Sequence, residues 1–204
     1  MSSLAGIDRY KLLTGLVVPR PIGWVGTLAP DGGANLAPFS YFNCVAATPP
    51  TVVLGLGAWR RGRPKDTYRN LAASGEFTLS LVSEEVAEAM VVTAGEYPPG
   101  VDEFAAAGLT PVPGDVVAAP YVGEAKAAME CRVFQVVPRG DPETVWIVIA
   151  DVLRLHVRSD LLDGTRVDPR ALRAVGRFAG TLYCTTAATI VDLGPAPEAS
   201  RTSP

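Results

Sequence analysis

The sequence predicts a mainly β chain, a closed barrel of at least six strands with peripheral helices. Three observations predict it. Extended apolar runs recur along the chain, several are joined by hairpin turns, and helices are inserted between others without a βαβ rhythm. No internal repeat or linker splits the body. Residues 1–14 read as an N-terminal helix or arm, 15–192 as one domain, and 193–204, rich in Pro, Ala and Ser, as a disordered tail.

Residues 8–14 form the arm's helix, closed by Gly15. Pro19-Arg20-Pro21 then forces extended backbone, because a residue before proline avoids the helical region. Two strands follow, 22–29 and 34–38, flanking the turn quartet Pro30-Asp31-Gly32-Gly33. Gly23 and Gly26 interrupt the first strand, where glycine marks a bulge or a place where a ligand nears the backbone. Pro38 ends the ladder, and Phe39-Ser40-Tyr41-Phe42-Asn43 supplies aromatics and hydrogen-bonding groups. A flat, partly polar ligand fits such a surface; so does an ordinary hairpin with a packed aromatic corner.

Residues 51–57 form a β-branched buried strand. A basic loop with Arg60, Arg61, Arg63 and Lys65 leads into a helix capped by Asp66 or Thr67, which runs to Ser74 and stops at Gly75. Residues 77–82 form a strand with Phe77, Leu79 and Leu81 on one face. Ser83 caps a helix through Thr93, and residues 101–107 form a short helix ending at Gly108. The strand 125–137 turns Met129, Cys131 and Val133 inward and Lys126, Glu130 and Arg132 outward. Its partner, 144–158, follows a turn at 138–142 and ends by alternating Leu153, Leu155 and Val157 with Arg154, His156 and Arg158. A short helix begins near Pro169, and 177–183 closes the body.

The composition excludes several classes. With 48% hydrophobic and 19% charged residues the chain is globular, and its net charge of −3 argues against nucleic acid. The apolar runs fall far short of a membrane span, and no leader pattern opens the chain, so a cytoplasmic protein with no membrane partner is expected. Cys44, Cys131 and Cys184 are scattered and read as small buried residues of a reducing compartment. With His156 the only histidine and no zinc spacing, no metal centre is expected. Walker and Rossmann glycine motifs and the nucleophile elbow are absent.

One positive signal remains. Arg60, Arg61, Arg63, Lys65 and Thr67 precede or open a helix, whose N-terminus offers unpaired N–H groups and partial positive charge. A phosphate dianion would be held there, although a solvated basic loop before a helix gives the same pattern.

The ordered blocks PRPIGWVGTLAPDGGANLAPFSYFN, TPPTVVLGLG and KDTYRNLAASGEFTLSLVSEEVAEAM, then GVDEFAAAGLTPV, ECRVFQVV and RFAGTLY, resemble the flavin reductase-like FMN-binding split-barrel family of the flavoredoxin type. The resemblance covers residues 15–183. It implies a six-stranded split barrel, a homodimer and bound FMN, with NADH or NADPH as co-substrate. By the same resemblance Val25, Gly26 and Thr27 border the isoalloxazine, and Ala37, Ser40 and Tyr41 line the ring or ribityl chain. Arg63, Lys65, Asp66 and Thr67 serve the phosphate, agreeing with the anion site read from the residues. Gly26 stands where the family commonly has serine, and Ala179 where it has glycine. His156, Arg177 and Tyr183 are the candidates to meet the nicotinamide. No protein residue is assigned as catalytic, since the flavin carries the hydride chemistry. The function implied is an NAD(P)H:flavin reductase that could serve a flavin-using monooxygenase. The alternatives are a flavoredoxin-like electron carrier and a non-catalytic flavin-binding module.

Overall fold

The computed structural model describes residues 4–57, 64–140, 144–187, 189–192 and 194, with the backbone alone of residues 59, 60 and 63. Most of the expected 193–204 tail, much of the 138–142 turn and the side chains of Arg60, Arg61 and Arg63 lie outside the described residues. Strand outweighs helix, 43% to 23%, so the chain is mainly β as expected.

The main sheet contains β1 (Gly23–Leu28), β2 (Ala34–Phe39), β3 (Phe42–Ala47), β4 (Pro50–Gly57), β5 (Glu76–Leu81), β6 (Ala127–Arg139) and β7 (Val145–Val157). They hydrogen-bond antiparallel in the order β2-β1-β5-β6-β7-β4-β3. The two outermost strands, β2 and β3, are consecutive in the chain, so the sheet curls to bring its edges together around residues 40–41. Gly55 on β4 donates its N–H to the Tyr41 carbonyl at 2.7 Å. A Cβ on Gly55 would lie 2.9 Å from that of Tyr41, so only glycine permits the approach.

The seventh strand, β3, is the one the sequence hides. Pro38 does not end the ladder: β2 is an edge strand, and Pro38 opposes Trp24 on its single paired side. A missing N–H costs nothing on the free side of an edge. Phe39 and Phe42 of the aromatic corner then turn inward and join Leu54, Phe77 and Leu79 in the barrel core.

β1 is buried on both faces. Val25 points into the barrel, and its neighbour Trp24 points into a second core with Leu36, Met90 and Phe104. That second core lies under α3 (Ala87–Thr93) and α4 (Glu103–Ala106). The Trp24 indole donates to Thr93 Oγ1 at 2.8 Å, which satisfies its one polar atom and seats the end of α3.

Helix α1 spans Gly6–Leu16 and runs through Gly15; α2 spans Asp66–Ser74 and stops at Gly75, whose φ is 68°. Neither Asp66 nor Thr67 caps α2, because the helix begins one residue early and Lys65 takes the N-cap position. The helix after Ser83 is divided into a 3-10 turn, Glu84–Val86, and α3. The expected 177–183 segment is the turn region of a hairpin between Val175–Arg177 and Tyr183–Thr185. Cys131 is buried, and burial pushes its thiol up to about 12. Cys44 is exposed, contrary to expectation, because β3 is the free edge of the sheet.

Glu130 also departs from the predicted pattern. It does face away from the barrel core, but it is 0% exposed, because residues 114–117 fold over it. Asp115 N–H donates to its Oε1 at 2.9 Å, and the N–H groups of Val116 and Val117 donate to Oε2 at 2.7 and 2.8 Å. His156 Nε2 lies 2.6 Å from Oε1, and the imidazole stacks on Tyr121 at 4.6 Å. Gly114 makes the wrap possible, since a Cβ there would sit 2.5 Å from the Val117 carbonyl and 2.9 Å from Glu130 Oε2. Burial alone would raise the Glu130 pKa. The three N–H groups and His156 together outweigh it and hold the carboxyl at about 2, below its ordinary 4.5.

A depressed carboxyl stabilises the fold fully above its unfolded-state value and progressively less as pH falls through the folded one. The Glu130 contribution is therefore complete at neutral pH and lost between about pH 4.5 and 2. Glu130→Gln turns an amide toward backbone donors, and should cost about 2 kcal/mol at pH 7. Urea melts at pH 7, 4 and 3 should show the variant and wild type converging as the medium acidifies. A gap that stays constant with pH would contradict this role.

Candidate functional site

The site begins with α2. Lys65 at the N-cap position makes no side-chain capping hydrogen bond, so among the described residues the leading N–H groups keep their donor capacity, and the helix dipole adds partial positive charge. Lys65 stands at that end, its Nζ 5.7 Å from the centroid of the Phe39 ring. Asp66 is turned aside, pairing with Arg69 at 3.1 Å and accepting from Gly100 N–H at 3.4 Å.

Thr67 is fixed from behind by a buried polar ladder. The Asn35 amide donates to Thr67 Oγ1 at 3.1 Å and to Thr27 Oγ1 at 3.3 Å, and the Asn70 amide donates to Thr27 Oγ1 at 3.0 Å. Thr67 Oγ1 therefore accepts here, and its own O–H donor is spent on no described residue. A buried hydroxyl with an unspent donor beside uncapped helix N–H groups is suited to an anion.

These groups open into a cavity of about 410 Å³. Its floor is β2 (Asn35, Ala37, Pro38, Phe39), and its opposite wall carries Ala94, Glu96, Tyr97 and Pro99. Glu103 on α4 also lines it, with Oε2 accepting the Leu36 N–H at 3.0 Å. Burial raises the Glu103 pKa against that hydrogen bond. The volume lies within the usual range for a cofactor-sized ligand. The donor set fits a flavin nucleotide: cation, hydroxyl and helix N–H groups at one end for a phosphate, apolar strand residues for a ring, and carboxylates to accept from sugar-alcohol hydroxyls.

The sequence-predicted residues fall into separate groups. Ala37, Lys65, Asp66 and Thr67 meet in this cavity. Val25, Gly26 and Thr27 are buried behind it, and a Cβ on Gly26 would meet Pro120 and Thr78. Thr27 is linked to the site through the Asn35 amide, which it shares with Thr67. Tyr41 is half exposed at the turn joining β2 and β3, and the Arg63 side chain lies outside the described residues.

Ser40, Arg177 and Tyr183 come together in a second cavity of about 190 Å³, which shares Pro38 and Ala94 with the first. His156 is not with them; it is held by Glu130 and Tyr121 on β7. Its flanking cations are likewise engaged, Arg154 with Asp115 at 2.9 Å and Arg158 with Asp160 at 2.5 Å.

Sequence reading missed Asn35, Glu103 and Arg20. Asn35 is a polar residue inside an apolar strand, a signal that was available. Glu103 lies in a helix four residues long and gave none. Arg20 gives no sequence signal beyond its place in a proline-flanked extended segment.

The flavin reductase like domain model matches residues 15–180. An uncharacterised protein of Aquifex aeolicus is 42% identical over 179 residues, 87% of this chain and 90% of its own. Component B of nitrilotriacetate monooxygenase from Bacillus cereus superposes with a TM-score of 0.89 at 35% identity, covering 93% of this chain and 95% of that one. The 2-nitrobenzoate 2-nitroreductase NbaA of Pseudomonas fluorescens does so with a TM-score of 0.88 at 28% identity, covering 100% and 98%. The curled antiparallel sheet is the split barrel. With the family model matched over most of its length, the chain belongs to the flavin reductase-like family.

Proposed function

We propose that this chain is an FMN-dependent oxidoreductase that passes hydride from NADH or NADPH to flavin. The observation that carries the reading is the uncapped start of α2, with Lys65 and the unspent Thr67 hydroxyl, opening into a cavity floored by β2. Lys65, Thr67 and the helix N–H groups hold the phosphate, Ala37, Pro38 and Phe39 face the ring system, and Glu96 and Glu103 meet the ribityl hydroxyls. When bound, FMN supplies the hydride-accepting chemistry. The protein's work is to hold the ring and admit the nicotinamide to near contact, about 3–3.5 Å. The likeness to a monooxygenase component supports a role in delivering reduced flavin to such an enzyme. The three free cysteines suit the reducing cytoplasm, where we place the protein.

We further propose a homodimer. Phe134 is 70% exposed, and Val136 and Leu155 on the same long hairpin and Val45 on β3 are also exposed. Side chains of this kind cost free energy in water and mark a surface that a second copy covers. Phe39 and Phe42 lie in the barrel core, so of that corner Tyr41 alone is left to contribute.

Three measurements test these statements. Lys65→Met or Thr67→Val should weaken FMN roughly tenfold or more, by the loss of one charge-assisted contact, and leave riboflavin affinity nearly unchanged. Equal losses for both ligands would move the phosphate elsewhere. In anaerobic stopped-flow, NADH or NADPH should bleach the flavin's blue absorption band. FMN that dithionite reduces and neither nicotinamide does would falsify the reductase reading and favour an electron carrier or a binding module. Light scattering should give twice the chain mass, and Phe134→Glu should shift it toward the monomer.

A further inference from the structure

Arg20 is a buried cation with no counter-anion among the described residues. It is 6% exposed, and its guanidinium donates to the carbonyls of Thr14 and Val17 at 2.7 Å, to that of Phe178 at 3.0 Å, and to Ser40 Oγ at 3.4 Å. These acceptors are all neutral. Arg177, on the same cavity, likewise donates to Tyr183 Oη and the Gly180 carbonyl, with its guanidinium carbon 4.5 Å from the centroid of the Tyr183 ring. Neither guanidinium has a carboxylate partner among the described residues. By contrast, Arg69, Arg132, Arg154, Arg158 and Arg173 each pair with one. Buried charge is ordinarily compensated. Here two positive charges line one cavity, and among the described residues no acidic one lines it with them.

The remaining walls decide what kind of anion fits. Tyr10, Ile22, Pro38 and Met90 are apolar or aromatic, and Ser40 adds a hydroxyl. The volume, about 190 Å³, is below the ~300 Å³ at which drug-sized sites begin, so a dinucleotide does not fit and a single substituted ring does. Tyr10 comes from α1, whose last turn is tied down through the Thr14 and Val17 carbonyls. Arg20 thus holds in place the helix that supplies one wall.

We propose that the cavity beneath the N-terminal helix is a binding site for a small aromatic carboxylate. Arg177 takes the carboxylate, Arg20 supplies fixed positive potential, and Tyr10 and Tyr183 face the ring. Because the cavity shares Pro38 and Ala94 with the larger one, its ligand lies next to whatever occupies that site. The binding does not require hydride transfer, so it can hold or fail independently of the reductase reading.

The test is calorimetric titration of the full chain with benzoate, benzamide and inorganic pyrophosphate, with and without FMN. Benzoate should bind, and benzamide should bind roughly tenfold more weakly or worse for want of the charge. Arg177→Gln should weaken benzoate by a similar factor while thermal melting stays at the wild-type value, and Tyr10→Ala should weaken it without changing FMN affinity. Absence of benzoate binding, equal binding of benzamide, or an Arg177→Gln variant that binds benzoate normally would each overturn the proposal. Pyrophosphate that displaces benzoate with higher affinity would also overturn it, by making the cavity a phosphate site.

Discussion

The structure depends on the close packing of β1. This strand is paired on both sides and covered on both faces, so its neighbours must approach without room for side chains at every position. A Cβ on Gly23 would lie 2.7 Å from a Leu79 methyl, and one on Gly26 would run into Pro120 and Thr78. These contacts let β5 and the 114–120 segment settle against the strand. Once β1 is fixed, its alternation separates two cores, with Val25 in the barrel and Trp24 beneath α3 and α4. Both cavities lie beside β2, the edge strand that pairs with β1.

The glycines of β1 also show where sequence reading is ambiguous. A strand glycine marks a close approach, but the pattern cannot say whether a ligand or the protein itself approaches. At Gly23 and Gly26 it is the protein. The strands, the Gly32-Gly33 turn and the stop at Gly75 were legible because period and turn chemistry are local. Pro38 masked the true end of β2, because an edge strand tolerates a proline and edge position is set by the closing of the whole sheet. Glu130 was hidden because strand alternation predicts which side a residue faces and says nothing about what later folds over it.

The candidate site was legible to a comparable degree, for the same reason. Lys65, Asp66 and Thr67 are adjacent in sequence and open one helix, so a local pattern revealed them. The ladder behind Thr67 joins Thr27, Asn35 and Asn70 from two strands and the helix, and only the register of β1 with β2 brings Thr27 opposite Asn35. His156 illustrates the opposite case. A lone histidine between arginines suggests a cofactor contact, but Glu130 on the adjacent strand β6, which pairs with Arg154, is its diagonal neighbour and engages it.

Charge distribution then separates the two cavities. The larger has Lys65 and a helix N-terminus at one end, with Glu96 and Glu103 along its walls, so a ligand there needs an anionic end and a hydroxyl-rich or neutral body. The smaller has two guanidinium groups and, among the described residues, no carboxylate. The two cavities meet at Pro38 and Ala94, so the smaller one presents a positive polarity next to the larger. Arg20 sets that polarity, and it is also the residue that ties α1 to the turn before β3 and to the C-terminal hairpin. The same guanidinium is thus a packing element and an electrostatic one. Replacing it with a neutral residue would remove the positive potential and loosen the helix wall together, so the two effects are separated by changing Arg177 and Tyr10 instead.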